Sequence, residues 1–214
     1  MRFKMKRILL VEDQVIVRQG IKMMIEHESS LLVVAEAGNG IEAITKMDLH
    51  AIDCVVMDIR MPEMNGIEAA RIIKKRFPAV KILMLTTFND DEYALQSLKD
   101  GVNGFLLKTA ERDELIKAIL SCMDGGMPLD KEVTAKVMPR LLQQTKTEVS
   151  DIPLTPRELV IVQQVGRGMT NKEIADELHL SIGTVKNHLT TILHKLQLRD
   201  RTQLAIYAVK NDIS

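Results

Sequence analysis

The chain has 214 residues, with 29 Lys and Arg balanced by 29 Asp and Glu, so its formal net charge is zero. That length suits one large or two small domains, and 46% hydrophobic with 27% charged residues excludes wholesale disorder. No apolar run approaches the ~18 residues of a membrane span, and the run Ile8–Val11 behind the basic start is too short for a signal-peptide core. Cys54 and Cys122 belong to no CxxC or Cys/His cluster. A disulfide framework and a structural zinc site are therefore excluded, and a cytoplasmic location is expected.

Along the first ~125 residues, short apolar runs at Ile8–Val11, Leu31–Ala35, Cys54–Met57, Ile82–Leu85 and Phe105–Leu107 predict strands buried on both faces. Segments with helical spacing separate them, such as Ile41, Ile44 and Met47, or Leu115, Ala118, Ile119 and Cys122. Strand and helix in alternation predict an α/β doubly wound, five-stranded parallel sheet. Pro62 and Asn65-Gly66 read as turn chemistry, with Asn-Gly tolerating positive φ.

The pattern stops at Asp124-Gly125-Gly126-Met127-Pro128, and a short helix is predicted over 131–144, disturbed by Pro139. A polar, weakly patterned stretch then runs to Asp151. Beyond it, Thr155-Pro156-Arg157-Glu158 and Thr170-Asn171-Lys172-Glu173 are capping boxes, and Ser181 and Asp200 are further N-caps. These signals predict a small all-α domain of four helices. The predicted division is 5–125, a linker with a short helix over 126–150, and 151–214.

Chemistry collects at the strand ends, where parallel sheets bind their ligands. The first strand run ends in Glu12-Asp13, the third in Asp58, the fourth in Thr86-Thr87 and the fifth in Lys108. Singly, these read as a helix cap, a strand threonine or a surface lysine. Together they place three carboxylates, a hydroxyl and an ammonium on one rim. Carboxylates so crowded repel unless a cation joins them, and Mg²⁺ (or Mn²⁺) suits a site that also takes phosphate oxygens. An Asp in that setting is equipped for phosphoryl transfer.

In the helical part, Ile182, Val185, Leu189, Ile192, Leu193 and Leu196 form one apolar stripe at helical spacing, read as core. The opposite side carries Lys186, Asn187, Thr190, Thr191 and His194. No Asp or Glu occurs from Leu178 through Arg199, so this helix can approach phosphates. Helix-turn-helix geometry places the N-terminal half of such a helix in the major groove.

Glu12-Asp13, Met57-Asp58-Ile59-Arg60-Met61-Pro62, Asn65-Gly66, Thr86 and Gly104–Lys108 resemble the receiver domain of two-component response regulators, a flavodoxin-like fold. Leu154–Glu158, Asn171–Ala175 and Ser181–His188 resemble the LuxR-type helix-turn-helix domain. The whole chain thus resembles a NarL/FixJ-family response regulator. The resemblance implies that Asp58 accepts a phosphoryl group from a cognate sensor histidine kinase. It assigns Mg²⁺ to Glu12, Asp13, Asp58 and the Arg60 backbone carbonyl. Lys108 and Thr86 would bond the phosphoryl oxygens, and Phe105 would be the switch aromatic. Promoter DNA contacts fall to Thr184, Lys186, Asn187, His188, Thr190 and Lys195, with homodimerisation on phosphorylation and no membrane partner. The last helix, around Leu204–Val209, would be a dimer surface or core.

Two other readings compete. Haloacid dehalogenase-type phosphatases also use an Asp nucleophile with Lys, Thr and Mg²⁺, but they place DxD after the first strand. Here the position two after Asp58 is Arg60, and the helical domain would be unexplained. An atypical regulator controlled by protein contacts alone would not need the complete acidic set. The expectation is a regulator that catalyses only its own phosphoryl transfer and dephosphorylation.

Overall fold

A computed structural model of the chain describes residues 5–86, 97–98, 100–130, 154–211 and 213. The helix expected over 131–144, the linker beyond it and Thr87 lie outside the described residues. Five strands form one parallel sheet: β1 (Lys6–Val11), β2 (Leu31–Ala37), β3 (Cys54–Asp58), β4 (Lys81–Thr86) and β5 (Gly104–Leu107). Their spatial order is β2-β1-β3-β4-β5. Each strand extends an expected apolar run by one or two residues, because ladder pairing continues beyond the apolar side chains.

Alternate side chains serve two cores. Leu9, Val11, Val55, Met57, Ile82, Met84 and Phe105 pack on one face. Ile8, Leu10, Cys54, Val56, Leu83, Leu85 and Leu106 pack on the other. Both faces are dry, which is why the strands read as apolar runs without polar alternation. Helices α1 (Val15–Glu26), α2 (Gly40–Leu49), α3 (Gly66–Arg76) and α4 (Arg112–Met123) cover them.

The second domain holds the four expected helices: α5 (Pro156–Gly166), α6 (Asn171–Glu177), α7 (Ile182–Lys195) and α8 (Arg201–Lys210). Both capping boxes form, and Ser181 and Asp200 cap α7 and α8 through their side chains. Val162, Val165, Ile174, Val185, Leu189, Ile192, Leu204 and Ala208 make its core. Leu204, Ala205 and Ala208 of α8 are therefore core. Ile182 departs from the expected apolar stripe: it opens α7 and is 44% exposed, one turn before the helix meets the core.

The Asn65-Gly66 pair also differs from expectation. Asn65 has φ −72 and caps α3, its side-chain oxygen accepting the Ile67 and Glu68 N–H groups. The left-handed conformation falls three residues before Gly66, at Glu63 with φ 63. Gly66 is required for a different reason. A Cβ there would lie 2.0 Å from the Asp58 carbonyl oxygen, so the start of α3 presses against the end of β3. That contact sets where Asp58 stands.

Candidate functional site

Strand order reverses between β1 and β3, and the crevice at such a switch point is where doubly wound sheets bind ligands. Glu12 and Asp13 follow β1, and Asp58 ends β3. One carboxylate oxygen from each of the three lies within 4.8 Å of the others. The Glu12-Asp13 pair does not supply the N-cap of α1: that residue is Gln14, whose own side chain makes no cap bond and whose N–H donates to Glu12 Oε1 at 3.3 Å.

Lys108 spans the cluster. Its Nζ stands 2.9 Å from Glu12 Oε2 and 2.9 Å from Asp58 Oδ2. Its backbone N–H donates to the Thr86 carbonyl at 2.8 Å, so the ends of β4 and β5 place Lys108 together with Thr86. The Ile59 N–H donates to Asp58 Oδ1 at 2.8 Å, which fixes that carboxylate's rotation. Burial pushes the Asp58 carboxyl above its usual range, against the opposing pull of Lys108 and the backbone N–H groups of Ile59 and Arg60. Glu12 is raised by burial too, with Lys108 opposing and Asp58 adding to the rise. Burial lowers Lys108, but its two carboxylate partners outweigh that and leave it raised.

These carboxylates thus carry charge at a cost that one ammonium does not remove. Asp13 Oδ1 is buried and has no hydrogen-bond partner among the described residues. An orphaned carboxylate oxygen beside two others fits a small divalent cation, which favours hard oxygen ligands. Glu12, Asp13 and Asp58 come together as expected, with Lys108 on them and Thr86 beside them. Phe105 is fully buried in the sheet core, one strand from Met84, which it pairs.

On the second domain, the Ser181 side chain accepts the Thr184 N–H at 3.0 Å and pairs the Thr184 hydroxyl at 2.8 Å, which fixes the start of α7. Val185, Leu189 and Ile192 turn inward, while Lys186, Asn187 and Thr190 are exposed and Thr184 and His188 half-buried. The Thr190 hydroxyl donates to the Lys186 carbonyl at 3.0 Å, within the helix. Lys195 has a structural partner: its Nζ lies 2.7 and 2.8 Å from the two Glu158 oxygens. Lys195 and the Thr155 cap bring the Glu158 carboxyl down to about 2. Glu158 therefore closes a capping box and tethers α7 to α5. Local sequence showed only the first role, because its second partner is 37 residues away.

An acidic pocket at the strand ends of a doubly wound α/β domain, followed by a small domain with helix-turn-helix order, defines the class of protein. The sequence families agree. Residues 8–120 match the response regulator receiver domain, and residues 152–208 match bacterial regulatory proteins of the luxR family. The transcriptional regulatory protein LnrK of Bacillus subtilis is 40% identical over 218 residues, covering 98% of this chain and 99% of that protein. The transcriptional regulatory protein LiaR of the same organism is 37% identical, covering 98% and 99%. Among solved structures, the response regulator ChrA of a heme-sensing two-component system is 31% identical with TM-score 0.55, covering 99% of this chain and all of that one. The chain belongs to the two-component response regulators with a receiver and a LuxR-type DNA-binding domain, and it is a transcriptional regulator. Among the described residues, no helix is long and apolar enough to cross a membrane.

Proposed function

We propose that Asp58 is the phosphoacceptor of this regulator and that its phosphorylation controls promoter binding through α7. The observation that carries the reading is the clustered triad of Glu12, Asp13 and Asp58, with Lys108 at 2.9 Å from both Glu12 and Asp58. An Asp58 oxygen forms the bond to phosphorus as the bond from phosphorus to a histidine nitrogen of the sensor kinase breaks. Lys108 offsets charge on the transferring oxygens, and Thr86 bonds one of them once transfer is complete. Phe105 responds as the switch aromatic. Glu12, Asp13, Asp58 and the Arg60 carbonyl would hold the Mg²⁺ or Mn²⁺. When bound, that ion supplies charge neutralisation and orientation for phosphoryl oxygens. The chain turns over no other substrate, acts in the cytoplasm and pairs as a homodimer when phosphorylated. Residues 5–125, 126–150 and 151–214 divide it into receiver, linker and DNA-binding domain.

Mg²⁺ should raise the thermal midpoint of the full chain, since a ligand at about 100 times its dissociation constant stabilises by ~2.7 kcal/mol. Scanning calorimetry with Mg²⁺ and then with EDTA checks this. Asp13→Asn should remove most of the shift, and an equal shift in that variant would place the ion elsewhere.

For α7, Thr184, Lys186, Asn187 and Thr190 face DNA, with His188 and Lys195 at the rim or backbone. Lys186→Ala should weaken binding at every sequence and reduce the slope of log affinity on log salt by about one. Fluorescence anisotropy across a salt series measures it. Unchanged affinity would remove α7 from the interface.

A further inference from the structure

A cavity of about 430 Å³, distinct from the acidic rim and from the exposed face of α7, opens where α3 meets the start of α8. From α3 come Arg71, Lys74 and Lys75, and the turn before β5 adds Asp100. Arg199, Asp200 and Gln203 complete the lining from the other domain. The domains touch beside it, where the Thr202 hydroxyl donates to the Val102 carbonyl at 3.0 Å.

The lining sets four cations against two carboxylates, and both carboxylates are already engaged. Asp100 Oδ2 accepts the Arg71 guanidinium at 2.9 and 3.1 Å. Asp200 Oδ1 caps α8 by accepting the Gln203 N–H at 2.9 Å, and its Oδ2 would lie 2.5 Å from a Cβ on Gly101. The cations are less well matched. Lys75 and Arg199 are exposed, and neither has a carboxylate partner among the described residues. Lys74 gives two of its three N–H groups to neutral acceptors, the Val80 carbonyl at 3.0 Å and Asn103 Oδ1 at 2.7 Å. Burial, and then the repulsion of Lys81 on β4, bring Lys74 down to about 8, with Asp200 opposing. Arg201 on α8 is brought down to about 10 by burial. This junction thus concentrates positive charge that its own carboxylates do not neutralise.

We propose that this cavity binds a small polyphosphoryl anion, a chain of linked phosphates carried free or as the tail of a nucleotide. Its volume falls within the roughly 300–1,000 Å³ of sites that take a whole small molecule. Arg and Lys together suit phosphate oxygens, the first as a fork of donors and the second as a point charge. Arg71 and Lys75 lie one turn apart on α3, while Arg199 comes from the other domain. An extended anion can meet both sides, whereas a single phosphate reaches fewer of these groups. No aromatic ring lines the cavity, so recognition rests on the phosphates and not on base stacking. Duplex DNA fits the site poorly. A continuous backbone needs an open, acid-free surface such as α7 presents, and here two carboxylates flank a recess. Because both domains build the lining, the site is complete only in the full chain.

Titration calorimetry of the unphosphorylated full chain tests the site, with EDTA keeping metal from the acidic rim and from the ligand. Tripolyphosphate should bind one to one, and orthophosphate at least about tenfold more weakly, since it makes fewer charged hydrogen bonds. Arg199→Ala and Lys75→Ala should each weaken tripolyphosphate about tenfold, the worth of one such bond. Both side chains are exposed, so neither loss should disturb the fold. Lys117→Ala, an exposed lysine of α4 on the opposite face of the sheet, should stay within about twofold of wild type. ATP as a second ligand names the source. Affinity equal to tripolyphosphate assigns the site to nucleotide tails, and affinity more than about tenfold lower assigns it to free phosphate chains, each in support of the proposal. Absence of tripolyphosphate binding to the wild type would overturn it. So would equal weakening by Lys117→Ala, or loss of binding on Lys108→Ala with Arg199→Ala unaffected, which would place the anion at the acidic rim. Arg199→Ala that weakened DNA binding as much as Lys186→Ala while leaving tripolyphosphate unchanged would give the patch to DNA instead.

Discussion

Asp58→Asn should reduce phosphoryl incorporation from acetyl phosphate and Mg²⁺ by at least about a hundredfold, the scale on which loss of a nucleophile reads. The substitution is conservative in shape. The asparagine oxygen can still accept the Ile59 N–H that Asp58 Oδ1 accepts at 2.8 Å, so the strand end keeps its geometry. What disappears is the anionic oxygen that Lys108 faces at 2.9 Å. Stability should change little, because the lost charge was one that burial opposed. Intact mass spectrometry with a parallel urea titration separates loss of chemistry from loss of fold. Wild-type incorporation in the folded variant would move the phosphoacceptor to another residue.

Gly66→Ala should be the most disruptive single methyl near the site. Its Cβ would meet the Asp58 carbonyl oxygen at 2.0 Å, the carbonyl carbon at 3.0 Å and Met84 Cε at 3.1 Å. The Met84 side chain can yield, but the Asp58 carbonyl belongs to a strand buried on both faces. Overpacking against such a neighbour costs about 1–3 kcal/mol, and more when backbone must move. Relief requires β3 and α3 to part, which shifts Asp58 relative to Lys108. The variant should therefore lose both denaturation midpoint and labelling rate. An unfolding free energy within about 0.5 kcal/mol of wild type, the range of neutral surface substitutions, would refute this account of Gly66.

The contrast between these two residues shows what the sequence carries. Glu12, Asp13, Asp58 and Lys108 were readable because each ends an apolar run, and parallel strands align their ends. The helical caps at Thr155, Thr170, Ser181 and Asp200 were readable because capping is local chemistry. Gly66 was visible only as half of an Asn-Gly pair that tolerates positive φ, and the residue of this loop that adopts it is Glu63. Its actual constraint is contact with a strand eight residues earlier, which no local rule contains. The same holds for Glu158 with Lys195 and for Thr202 with Val102, pairs separated by 37 and 100 residues. Those pairings depend on how helices and domains dock, and hydrophobic period does not encode docking.

Charge carries the same lesson. The neutral total conceals an acidic pocket centred on Asp58 and an acid-free helix bearing Lys186. Lys195 belongs to that acid-free stretch in sequence, yet in space it sits on Glu158. The cation that α7 presents openly near its start is Lys186.

The central claim is that the state of Asp58 sets the affinity of α7 for DNA. The most direct test measures binding of the full chain to a site selected from random DNA, with and without acetyl phosphate and Mg²⁺. Wild type should bind about tenfold or more tightly when phosphorylated, a coupling of at least ~1.4 kcal/mol, and Asp58→Asn should show no difference. Equal affinity for the phosphorylated and unphosphorylated wild type, with incorporation confirmed by mass, would contradict the account.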